Sequence, residues 1–95
     1  MADYTKAIEI NPKSADTYNN RGSIKSDLGD NKGATADYTQ AIEISPSFVP
    51  AYLNRAAIKL DQGDKEGATA DLLQAAKIGN ADVQQWLKSN GISKW

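Results

Sequence analysis

The stretch GDNKGATADYTQAIEI, residues 29–44, returns as GDKEGATADLLQAAKI at residues 63–78. Ten of the sixteen aligned positions are identical at a shift of 34 residues. A fixed period of this length is typical of repeat architectures, in which each copy is one supersecondary unit that buries its apolar face by stacking on its neighbours. We therefore expect the chain to be a stack of similar units.

The same register extends in both directions from these two stretches. The opening phrase MADYTKAIEINP nearly matches ADYTQAIEISP of the first copy, so that Asp3 aligns with Asp37 and Asp71. Upstream of the copies, YNNRG at residues 18–22 aligns with YLNRA at residues 52–56. The repeat therefore covers nearly the whole chain.

Each unit is predicted to be a pair of helices separated by a Gly-Asp step, at residues 29–30 and again at residues 63–64. Glycine ends a helix without a Cβ penalty, and the Asp carboxylate can accept hydrogen bonds from the first backbone N–H groups of the next helix. In the second helix, small and large apolar residues recur at spacings of three and four and form one stripe. This stripe contains Ala34, Tyr38, Ala41 and Ile42.

This pattern divides the chain into four parts within one domain. Residues 1–13 are a half repeat that contains a second helix only, residues 14–47 and 48–80 are full repeats, and residues 81–95 are a C-terminal capping helix and tail. Asn80 can cap that last helix and Gly91 can end it.

The period and the placement of small and aromatic residues resemble the tetratricopeptide repeat (TPR) family. The matching residues are Tyr18, Gly22, Gly29, Ala34, Tyr38, Ala41 and Pro46 in the first full unit, and Tyr52, Ala56, Gly63, Ala68, Leu72 and Ala75 in the second. The resemblance implies an all-α, right-handed superhelix of stacked antiparallel helix pairs, a TPR-like α-solenoid. It also implies a non-catalytic scaffold for protein–protein interaction.

By the same resemblance, the first helices line a concave face that binds a peptide segment of a protein partner whose identity the sequence does not give. Asparagine offers both a donor and an acceptor, which suits the backbone of an extended peptide. The alternative is that these polar residues are solvated and bind no ligand. The predicted peptide-binding residues are Asn19, Asn20, Ser23, Leu53, Asn54, Ala57, Gln84 and Lys88.

Two basic positions depart from the family pattern, since Arg21 and Arg55 stand where a leucine is usual. One interpretation is that long side chains lie over a groove with their charged ends in water. The other is a structural ion pair between each Arg and the Asp eighteen residues earlier. That hypothesis pairs Asp3 with Arg21 and Asp37 with Arg55, across neighbouring units.

The half repeat suggests a second function. Without a first helix of their own unit, Tyr4, Ala7 and Ile8 are expected to leave an apolar patch, and such patches tend to mark interaction sites. The alternative to a peptide-binding scaffold is thus a homo-oligomer, formed by end-to-end stacking or by domain swapping. A third interpretation is that the chain is a fragment of a longer repeat array.

Composition argues against several other functions. With 11 basic and 12 acidic residues, the chain has no excess positive charge for binding nucleic acid. The absence of Cys and His removes thiolate and imidazole chemistry and the usual zinc ligands. The acidic pairs at residues 27 and 30 and at residues 61 and 64 lack the spacing of a calcium loop. We expect no enzyme activity, cofactor or metal.

The N-terminus lacks the basic and apolar regions of a signal peptide. No apolar run approaches the roughly 20 residues that a membrane-spanning helix needs. The sequence therefore predicts a cytoplasmic protein without a membrane partner.

Overall fold

The computed structural model describes residues 14–95, and five helices follow one another in that range. Helix α1 spans Ala15–Asp27, α2 spans Asn31–Ile44, α3 spans Val49–Asp61, α4 spans Lys65–Ile78 and α5 spans Ala81–Ser89. No strand occurs among these described residues.

Side-chain caps begin four of the described helices: Ser14, Asp30, Asp64 and Asn80. Asp30 accepts a hydrogen bond from the backbone N–H of Gly33 at 2.9 Å, and Asp64 accepts the equivalent bond from Gly67 at 2.9 Å. The glycine before each Asp is left-handed, with φ of 86° and 80°. The predicted Gly-Asp step between the two helices of a unit is confirmed.

The helices stack in chain order, with α1 packed on α2, α2 on α3, α3 on α4, and α4 on α5. In addition, the backbones of α1 and α3 come close to each other, whereas those of α2 and α4 do not. The first helices α1 and α3 therefore lie closer together than α2 and α4 do. One side of the stack is formed by α1, α3 and α5. We call this side the first-helix face.

Small residues set the distance between the helices of the first unit. Ala34 and Ala41 of α2 are fully buried, and Tyr38 beside them is 2% exposed. A Cβ atom on Gly22 would lie 2.8 Å from Cε1 of Tyr38. Because real Cβ atoms do not approach so closely, the Tyr38 ring occupies the space that the missing side chain of Gly22 leaves.

A buried carboxylate joins the two helices of each unit. Asp37 of α2 is only 4% exposed. Arg21 of α1 donates from Nε to Oδ2 at 2.8 Å and from Nη2 to Oδ1 at 2.7 Å, and Nζ of Lys25 lies 3.2 Å from Oδ2. The second unit repeats the arrangement, with Arg55 and Lys59 on Asp71. Such a bidentate, charge-assisted pair is among the strongest side-chain interactions.

The predicted pairing of Asp37 with Arg55 is wrong. Both carboxylate oxygens of Asp37 are bound by Arg21 of its own unit, sixteen residues earlier, and Arg55 binds Asp71 in the same way. The contact of Arg55 with the preceding unit is instead a hydrogen bond from Nη1 to Oγ1 of Thr39 at 3.1 Å. The other predicted pair includes Asp3, which lies outside the described residues.

Burial opposes ionisation of Asp37, but the hydrogen bonds from Arg21 and Lys25 outweigh it and lower the pKa of the carboxyl below its ordinary value. The same hydrogen bond raises the pKa of Arg21, against the effect of its burial. The pKa of Arg55 is likewise raised by its hydrogen bond to Asp71. The ionised forms of Asp37, Arg21 and Arg55 are therefore the forms that stabilise the fold.

We predict that Asp37→Ala lowers the free energy of unfolding by about 2 to 3 kcal/mol, because it leaves two partly buried cations without their carboxylate. The control is Asp16→Ala, which removes an exposed carboxylate from the first turn of α1 and should cost less than about 1 kcal/mol. Urea denaturation of both variants makes the comparison. Equal small losses would contradict a structural role for the pair.

We also predict how this contribution depends on pH. Since the pKa of Asp37 is lowered by folding, its stabilisation is fully present above the unfolded-state pKa of about 3.9 and is lost as the pH falls through the lower folded-state value. The stability difference between the wild type and Asp37→Asn should therefore be constant from pH 7 to about pH 5 and shrink below it. A difference that stays constant down to pH 2 would contradict the prediction.

Candidate functional site

The predicted peptide-binding residues on the first-helix face do not form a continuous polar row. The side chain of Asn19 is buried, with the residue 8% exposed, and its Oδ1 accepts a hydrogen bond from Nδ2 of Asn54 at 3.1 Å. This bond joins α1 to α3, the first helices of neighbouring units. Asn19 and Asn54 thus contribute to the contact between neighbouring units, while Asn20 is exposed.

Three further predicted residues interact with other parts of the chain. Ser23 shares a hydrogen bond of 3.1 Å with the hydroxyl of Tyr38. Gln84 donates to the carbonyl oxygen of Ala76 at 2.9 Å. Lys88 lies over the ring of Trp95, with Nζ at 5.9 Å from the ring centroid. The contacts of Ser23 and Gln84 lie within the helix stack, and that of Lys88 is with the tail.

The remaining two predicted residues, Leu53 and Ala57, line a pocket between α3 and α5. Its volume is about 340 Å³, within the size range of small-ligand pockets. Unlike α1 and α3, the helices α3 and α5 do not approach each other closely, so a gap opens between them on the first-helix face. The lining residues are Leu53, Ala56, Ala57, Leu60, Leu72, Asn80, Asp82, Val83 and Trp86.

Three residues that line the pocket differ from their counterparts one period earlier in the chain. In the first unit the Tyr38 ring packs against Gly22, and its hydroxyl reaches Ser23. In the second unit Leu72, Ala56 and Ala57 stand at these three positions. Leucine lacks the phenol ring and alanine lacks the hydroxyl partner, and all three of these replacements line the pocket.

Two large apolar side chains stand at the pocket with unusual exposure. Trp86 is 46% exposed and Leu60 is 47% exposed, although most large apolar residues of the described chain are buried or partly buried. Asp82, in the first turn of α5, is the one ionisable residue among those that line the pocket. The site thus combines an apolar surface with a single negative charge.

Sequence reasoning missed most of this pocket, including Leu60, Leu72, Asp82 and Trp86. The available signal was the replacement of Tyr38 by Leu72 one period later. Its meaning depended on the close approach of Tyr38 to Gly22, which only the three-dimensional structure shows.

Other predicted site residues fall outside the structure or gain no support from it. Tyr4, Ala7 and Ile8, proposed for self-association, lie outside the described residues. Between residues 14 and 95 no group of acidic side chains has an arrangement that could hold a metal ion. In the same range no helix is both long enough and apolar enough to span a membrane.

We predict that Asn54→Ala destabilises the fold by about 1 kcal/mol, because it removes the hydrogen bond between first helices and leaves the buried Asn19 oxygen without a donor. Asn20→Ala changes an exposed residue on α1 and should be close to neutral. Thermal melts of the two variants, followed by circular dichroism, make the test. Equal melting temperatures would contradict a structural role for Asn54.

Two comparisons with known families agree with this architecture. Residues 22–63 match a family model described as TPR repeat, and residues 3–36 match one described as Tetratricopeptide repeat. No curated protein was found to match the chain. TPR repeats generally mediate protein–protein interactions, and the family typically provides non-catalytic scaffolds. The predicted all-helical, TPR-like solenoid is confirmed, and the chain belongs to the tetratricopeptide repeat family.

Proposed function

We propose that this chain is a non-catalytic module that binds a peptide segment of another protein on its first-helix face. The observation that carries the proposal is the apolar pocket of about 340 Å³ between α3 and α5, with Trp86 at 46% exposure in its wall. Pockets with a few polar groups and an apolar lining are the usual form of binding sites. Tryptophan is also enriched among the residues that dominate binding energy at protein interfaces.

The pocket supports this function better than the polar residues do. Burial of an apolar surface contributes roughly 25 cal/mol per Å², so one aromatic or leucine side chain in the pocket can supply a few kcal/mol of affinity. A hydrogen bond to an exposed group such as Asn20 replaces a bond to water and contributes only about 1 kcal/mol net. We infer that the pocket provides most of the affinity and that Asn20 contributes to the orientation of the peptide.

The chemistry of the lining fits a binding role. Asp82 is its one ionisable residue, and the other polar residue there, Asn80, uses its side chain to cap α5 through a 2.9 Å bond from Val83 N–H. General acid–base and nucleophilic catalysis need a base within hydrogen-bond reach of a partner group. The lining provides no such pair, which supports a non-catalytic function.

Two further predictions remain untested. Self-association through the half repeat would use residues outside the described range, and a cytoplasmic location is a prediction from the sequence. The peptide-binding proposal depends on neither of them.

The proposal predicts that peptides selected on the chain bind in the pocket. A random 12-residue peptide library displayed on phage is panned against the immobilised protein, and enriched peptides are synthesised. They are titrated into the Trp95→Phe variant, in which Trp86 is the only tryptophan of the chain. We expect saturable changes in Trp86 fluorescence. Failure to enrich any peptide would contradict the proposed function.

The matched test replaces three pocket residues by the residues that stand at the same positions of the first unit. The triple variant Ala56→Gly, Ala57→Ser and Leu72→Tyr reproduces the Gly22, Ser23 and Tyr38 set of the first unit, and it should fold because that set already packs there. Peptide affinity should fall at least about tenfold. The control, Ala70→Ser, changes an exposed residue of α4 outside the pocket and should leave binding unchanged. Equal affinity in both variants would contradict binding in the pocket.

A further inference from the structure

The charge of the pocket narrows the chemistry of the partner, and this inference rests on the peptide-binding function proposed above. Asp82 lines the same pocket as Leu60 and Trp86, and it is the one ionisable residue in that lining. An apolar side chain that enters between Leu60 and Trp86 removes water from the neighbourhood of the Asp82 carboxylate. A carboxylate that loses water is destabilised unless a donor or a positive charge replaces it.

The basic residues next to the pocket already interact with other side chains. Lys59, which precedes Leu60 in α3, lies 3.0 Å from Oδ2 of Asp71. Lys88, two residues after Trp86, lies over the ring of Trp95. Arg55 of α3 donates to Asp71 and to Thr39. None of these three cations pairs with Asp82, and the N-terminus of α5 gives its carboxylate only a partial positive charge. A full positive charge beside Asp82 is therefore left for the partner to supply.

The C-terminal end of α3 has the same electrostatic preference. Leu60 lies in the last turn of α3, where the helix dipole gives a partial negative charge that favours cations. Asp61 follows Leu60 and is exposed. The carboxylates of Asp82 and Asp61 and the C-terminal end of α3 thus together favour a positive charge close to the apolar side chain.

We propose that the partner is a peptide segment with a large apolar side chain, such as Leu or Phe, and a Lys or Arg within a few residues of it. The apolar side chain occupies the pocket between Leu60, Leu72 and Trp86, and the basic group pairs with Asp82. Peptides with Glu or Asp at the basic position are rejected, because a like charge beside Asp82 is repelled and cannot compensate its desolvation.

The test uses a peptide recovered from the library and three synthetic derivatives: one with Ser for the apolar residue, one with Glu for the basic residue, and one with Gln there. Binding is measured by Trp86 fluorescence in the Trp95→Phe background. We expect the Ser derivative to lose binding, the Gln derivative to bind about fivefold more weakly, and the Glu derivative to bind more weakly still. In the Asp82→Lys variant the charge preference should reverse, so that the Glu derivative binds more tightly than the peptide with the basic residue.

Asp16→Asn provides the matched control for Asp82→Asn. Each residue is exposed and is the second residue of a first helix, so both variants remove the same favourable interaction with a helix N-terminus. Only Asp82→Asn should weaken binding of the basic peptide, and it should reduce the salt dependence of binding. Circular dichroism checks that both variants remain helical.

The outcomes separate this inference from the function on which it rests. If peptides bind the wild type but not the triple variant, and yet Asp82→Asn and Asp82→Lys change no affinity, the charge preference is wrong and pocket binding stands. Enrichment of acidic peptides in the library would also overturn the charge preference. If no peptide binds, or the triple variant binds equally well, the proposed function itself fails.

Discussion

A buried carboxylate at the centre of each helix pair constrains the whole fold. Asp37 is 4% exposed, and an ion in that position is tolerated only when its hydrogen bonds are complete. Arg21 completes them only when α1 lies against α2 at one distance and in one register, because its two donors must match the two carboxylate oxygens. The ion pair therefore fixes how the two helices of a unit meet, and the same geometry recurs at Asp71.

Once the units are fixed in this way, the interfaces between them can differ. Helices α1 and α3 are joined by the Asn54–Asn19 hydrogen bond and lie close together. At the next interface α3 and α5 stay apart. There Leu72, Ala56 and Ala57 line the pocket, at the positions that Tyr38, Gly22 and Ser23 occupy in the first unit. The positions that the units share thus build the scaffold, and the positions where they differ form the candidate site. This is the usual relation of fold to function, in which a site is added to a common architecture.

The period, the Gly-Asp step and the helix caps could be predicted from the sequence because they depend on local chemistry that repeats. The ion-pair partner could not be predicted by register alone. Asp recurs once per period, so each Arg has one Asp sixteen residues after it and another eighteen residues before it. The sequence allows either Asp as the partner, and only the packing of α1 on α2 selects Asp37 for Arg21. Leu72 likewise looks like an ordinary core substitution until the contact between Tyr38 and Gly22 is known.

We propose that a protein segment binds in the pocket where the second unit departs from the first. The most direct measurement is a two-dimensional ¹H–¹⁵N spectrum of the labelled chain, recorded during titration with a library-selected peptide. We expect the largest shifts at Leu53, Leu60, Leu72 and the Trp86 indole, with little change on the outward faces of α2 and α4. Shifts confined to those outward faces, or spread evenly over the chain, would contradict it.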